Sequence, residues 1–148
     1  MSKTLLAVAC LAAFAALQTS AQAGCPPEYK ERTPFQVVAD LRAATGAQDW
    51  DLVACNYSRR AFVIDDQGIL VGREDIVAAA QSLAMLFNGV SPTILQEDNY
   101  RDVVREIYRL DAGWVVIPDG VRTFHIRKGK IRRQTSHGLI EFTGPPPE

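Results

Sequence analysis

The chain is poor in the residues that hold metals: 148 residues contain only two histidines and three cysteines. His125 and His137 show no ligand-like spacing with the cysteines, which argues against a metal site. No nucleophile elbow, phosphate loop or zinc-binding helix occurs either, so neither a metal nor a cofactor is expected. A membrane-spanning run is also missing. The apolar stretch Leu5–Leu17 holds about 13 residues, short of the ~20 that a spanning helix needs. Charge of one sign is absent as well, with 16 basic against 17 acidic residues. Basic residues gather late, in Arg127, Lys128, Lys130, Arg132 and Arg133, but the opposing acids and missing aromatic interleaving argue against nucleic-acid binding. A solvated hairpin tip is the ordinary reason for such a run.

What is present begins with an export signal. Lys3 supplies a positive start, Leu5–Leu17 the apolar centre, and Ala21-Gln22-Ala23 a small-x-small cleavage pattern. Cleavage there removes Lys3 and Cys10, leaving a net charge of −2 and the pair Cys25 and Cys55. A signal of this simple kind points to a bacterial envelope, periplasmic or secreted, with no stable membrane insertion after cleavage. Two cysteines in an exported chain suggest a disulfide, closing a loop of about 30 residues and stabilising by roughly 3–4 kcal/mol. The organisation expected is a signal over 1–23, a leader over 24–32, one domain over 33–142 and a tail over 143–148.

The domain opens on a helix. Thr33 can cap, Pro34 suits the first helical position and Gln36 completes a capping box. Phe35, Val38, Leu41 and Arg42 follow at helical spacing up to Gly46. Asp49 can cap a short second helix carrying Trp50, Val53, Ala54 and Tyr57. Ala61–Asp65 reads as a strand, and Asp66-Gln67-Gly68 as a turn into Ile69–Val71. A third helix carries Ile76, Val77, Ala80, Leu83, Ala84 and Phe87 before Asn88-Gly89. Longer strands are predicted near Pro92–Asn99, Asp102–Leu110, Trp114–Arg127 and Ile131–Phe142, with Pro118-Asp119-Gly120 as a bulge or kink in the third. Helices first and a meander after them argue for an α+β domain. Its three helices would pack in a strongly curved, mixed but mainly antiparallel sheet. The result is a conical half-barrel with a pocket, and such hollows are default ligand sites.

These segments resemble the nuclear transport factor 2-like superfamily, particularly its SnoaL-like and ketosteroid-isomerase-like members. The carriers are Gln48–Leu52 before Tyr57, Ala61–Asp65, Gly72–Ile76 and the turn Arg127–Ile131. The resemblance implies an interior pocket and a homodimer formed through the sheet. It also places an isomerase-type general base on Asp65 and a pocket tyrosine on Tyr57. The oxyanion-holding tyrosine of the isomerases falls on Leu41, and a supporting one on Ala80. Their protonated aspartate falls near Arg122, with Asp119 as a displaced stand-in. Enolate chemistry needs neutral donors, worth about 3–4 kcal/mol for one, and Leu41 supplies none. Steroid-type isomerisation is therefore disfavoured, while an arginine could hold an anion.

Each candidate carries two readings. Asp65 is a general base, or it opens a turn that favours acidic residues. Arg122 shares a strand face with Phe124 and Ile126, where it binds an anion or pairs with a carboxylate. His137 depends on register: one hairpin geometry puts it on Arg122's face, while another puts Gln134 and Ser136 there. Trp50, Tyr57, Trp114 and Phe124 line the core or touch a ligand. The function expected is binding of a small hydrophobic or weakly anionic molecule. A lyase or isomerase using Asp65 with Arg122 or His137, and a dimeric envelope interaction module, are the alternatives.

Overall fold

The computed structural model describes residues 24–145; the predicted signal and the end of the tail lie outside them. The leader forms a short 3-10 turn, Pro27–Lys30, and Cys25 is bonded to Cys55. Helix α1 spans Pro34–Gly46, and its capping box forms, with Thr33 accepting from the Gln36 amide. Helix α2 covers Trp50–Asn56, capped by Asp49 through the Leu52 amide. Tyr57 is not the last helical residue expected. It starts strand β1, Tyr57–Asp65, which is therefore longer than its apolar segment suggests.

A hairpin leads into β2, Gly68–Val71, and then helix α3, Arg73–Leu86. Strands β3 (Thr93–Tyr100), β4 (Val103–Asp111), β5 (Val115–Arg127) and β6 (Lys130–His137) form the meander. The last predicted strand is two. The chain bends at Gly138, whose amide bonds the Asp66 carboxylate, and returns as β7 (Glu141–Phe142) to pair with the start of β5. A side chain at Gly138 would meet Ile117 at 2.8 Å, so glycine permits this close passage.

The sheet runs β2-β1-β6-β5-β4-β3, parallel only between β1 and β6. It curves without closing, and α1 lies on β4, β5 and β6 while α3 lies mainly on β1, β2 and α2. Of four register shifts in the sheet, two set which residues of β5 and β6 face the helices. Pro118-Asp119 loops out opposite Arg109, between the pairs Tyr108–Gly120 and Leu110–Ile117. On β6, Arg132 is extra, between Ile126–Ile131 and His125–Arg133. The inner face divides into two apolar clusters. One joins Val37, Val38, Val53, Ala61, Phe124 and Ile131. The other joins Phe87, Tyr108, Leu110, Val115 and Ile117.

Candidate functional site

A polar row crosses the sheet between those clusters. Register places Glu97 opposite Glu106, Glu106 opposite Arg122, and Arg122 opposite Ser136. Continuing the β1–β6 register by one residue from the Ile64–Thr135 pair brings Asp65 into the same row. It stands two strand spacings from Arg122, roughly 10 Å.

Glu106 is the centre of the row and is 0 % exposed. Arg122 forks onto one oxygen, with Nε at 3.0 Å and Nη2 at 2.6 Å from Oε2. Arg42 reaches down from α1, and its Nη1 lies 2.5 Å from both Glu106 Oε1 and Glu97 Oε2. Burial pushes the Glu106 carboxyl above its ordinary range, against the opposing pull of Arg122 and then Arg42. Two guanidiniums on its two oxygens are what make a buried carboxylate tolerable here. Arg122 also packs against aromatic faces, 4.6 Å from the Tyr108 ring centre and 5.7 Å from that of Phe124. Gly120 makes room for this arrangement, since a Cβ there would sit 2.3 Å from the Tyr108 ring.

Beside this cluster, Tyr57 donates to Gln134 Oε1 at 2.6 Å. Burial raises its phenol far above its usual range, so it stays a neutral donor. The hairpin of β5 and β6 takes the tight turn that would have favoured His137, with Arg127 paired to Lys130. The Arg132 bulge then reverses the outcome, and Gln134 and Ser136 share the inner face with Phe124 and Arg122. His137 is exposed and holds Asp66 at 2.8 Å, which draws the Asp66 carboxyl below its ordinary value.

The other sequence candidates scatter. Asp65 accepts from the amides of Gln67 and Gly68 through one oxygen, at 2.8 and 2.9 Å, serving its own turn. Trp114 sits with the second apolar cluster, 5.9 Å from the Phe142 ring. Trp50 flanks the first cluster and lines a hollow of about 600 Å³ with Gln48, Gln81 and Met85. A second hollow, about 390 Å³, opens between the start of α1 and the β3–β4 and β5–β6 turns. Tyr57, Arg122 and Phe124 line neither of these two.

Three residues of the row and its surroundings escape a motif search: Glu106, the partner of Arg122; Arg42, which bonds Glu106 from α1; and Gln134, the partner of Tyr57. Glu106 had a signal, because Val104, Tyr108 and Leu110 on alternate positions predict that its side chain points inward. Gln134 had none beyond the unresolved register.

No family model matches the chain, and no protein of curated function matches it. Solved structures do. An NTF-2 like protein of unknown function from Burkholderia xenovorans is 16% identical, with TM-score 0.62 over 78% of this chain and 90% of that one. A protein with a ketosteroid isomerase-like fold from Catenulispora acidiphila, in complex with trimethylamine, is 16% identical with TM-score 0.58, over 68% and 83%. An LEH-like epoxide hydrolase from M. tuberculosis is 12% identical with TM-score 0.59, over 72% and 82%. Three helices on a curved, unclosed, mainly antiparallel sheet thus give this chain the α+β cone fold of the nuclear transport factor 2-like superfamily.

Proposed function

We propose that this is an exported pocket protein whose polar row holds the head of a small molecule with an apolar body. The observation that carries the reading is the state of Arg122. Its Nε and Nη2 serve Glu106, which leaves Nη1 outside the fork, and its side chain keeps 19% exposure on the inner face. A weakly anionic or carbonyl group set against Nη1 would have Tyr108 and Phe124 beside it, with the Tyr57–Gln134 pair nearby. Export is supported by the Cys25–Cys55 bond, which suits an oxidising compartment. A homodimer through the outer sheet face belongs to the same proposal, and light scattering of the purified chain tests it.

Octanoate is a suitable probe, because it joins a carboxylate to an apolar chain. Titration calorimetry should give saturable binding to the wild-type chain and at least tenfold weaker binding to Arg122→Gln. Asp65→Asn should bind like wild type. Equal binding by the Arg122 variant, or none by wild type, would overturn the reading. The enzymatic alternative finds less support, because Asp65 is occupied with its turn and His137 faces away from Arg122.

A further inference from the structure

Beside the start of α1 the late basic run acquires a place. Val103 pairs with His125, so the β3–β4 turn (Arg101-Asp102) and the β5–β6 turn (Lys128-Gly129) lie side by side. They meet the start of α1 around the hollow of about 390 Å³, which is lined by Arg32, Arg101, Asp102, His125, Arg127 and Lys128 among others. Four permanent cations therefore face one carboxylate.

The cations differ in what they already do. Arg32 is spent on structure, bonded to Asp40, Asn56 and Gly129. Asp102 lies 3.3 Å from His125. Arg101, Arg127 and Lys128 have no carboxylate within ion-pair distance among the described residues.

The turn chemistry is unusual in the same two places. Arg101 and Lys128 adopt left-handed backbone, with φ of 55° and 53°. Asparagine or glycine takes that conformation with less strain. Both turns carry a long cation instead, and both cations line the one hollow.

We propose that this hollow is a binding site for a phosphate-type dianion, separate from the polar row. A compact dianion can face several cations at once and gains from each about twice what a monoanion gains at the same distance. The same chemistry is offered by a free phosphate monoester and by a phosphatidic acid headgroup.

The test uses the disulfide-bonded mature chain and the double variant Arg101→Asn, Lys128→Asn. Asparagine keeps the left-handed turns, so the variant should melt no lower than wild type without ligand. Inorganic phosphate is titrated at 150 mM sodium chloride and followed through the backbone amide resonances of residues 101–103 and 125–129. Saturable shifts at these positions, weakened at least tenfold in the double variant, support the site. Vesicles of phosphatidylcholine with or without phosphatidic acid separate the two sources. Binding only to the acidic vesicles, again weakened in the variant, supports the site with a lipid headgroup as its ligand. Three outcomes overturn it: no response to phosphate or vesicles, equal binding by the variant, or equal binding to pure phosphatidylcholine.

Discussion

Val104 and Glu106 stand two residues apart on the inner face of β4, both with no exposure, and they belong to different kinds of interior. Around Val104 the interior is apolar, and burial contributes about 1.5–3 kcal/mol for each large side chain whatever its neighbour. Around Glu106 nothing is gained by burial itself. The carboxylate is tolerated because Arg42 and Arg122 bond it, and each of those arginines is part-exposed, at 29% and 19%. The first region is held by volume and the second by matched partners. A site can be built from the second kind, because its groups retain specific hydrogen-bonding capacity.

Substitutions should separate the two. Phe124→Ala, at the seam of the apolar end, should lower unfolding free energy by about 3–5 kcal/mol in urea titration. A loss below about 1 kcal/mol would mean that this end is not the core. Glu106→Gln should cost about 2–3 kcal/mol, less than a fully buried broken pair because both arginines can reach water. If it proves stabilising, the row is held by packing and the contrast fails.

Tyr57→Phe should cost about 1 kcal/mol, the ordinary worth of its bond to Gln134. The wild-type phenol should also resist ionisation in alkaline absorbance titration until the chain unfolds.

His137→Ala lies outside both regions and serves as their control. Asp66 has a depressed folded value, so its contribution is present above the ordinary aspartate range and fades as pH falls through the folded one. Removing the histidine should raise the Asp66 midpoint in carbon NMR titration while leaving octanoate binding unchanged.

The contrast also explains what could be read from the sequence. Thr33 with Gln36, Asp49 and the helical spacing of α1 report local chemistry, and they gave the helices and the order of strands. Arg122 was visible as a charge among Phe124 and Ile126. Its partner Glu106 was visible too, but only to a reader who followed β4 by alternation. The Arg132 bulge was not. One unpaired residue moves Gln134 inward and His137 outward, and nothing in the local run of β6 announces it. Asp65 differs again: its turn preference and its row position were both legible, and the coordinates add that one of its oxygens accepts from the amides of Gln67 and Gly68.

Arg32 has a consequence for the order in which the molecule can be completed. Its guanidinium lies 3.5 Å from the Tyr29 ring centre and donates to Asp40, Asn56 and the carbonyl of Gly129, 97 residues further along. Gly129 passes so close to the Tyr29 carbonyl that any side chain there would collide. On a ribosome the leader emerges long before that hairpin exists. The leader must therefore wait, unfastened, for the hairpin, and the clasp around Arg32 closes only when synthesis of the domain is almost over.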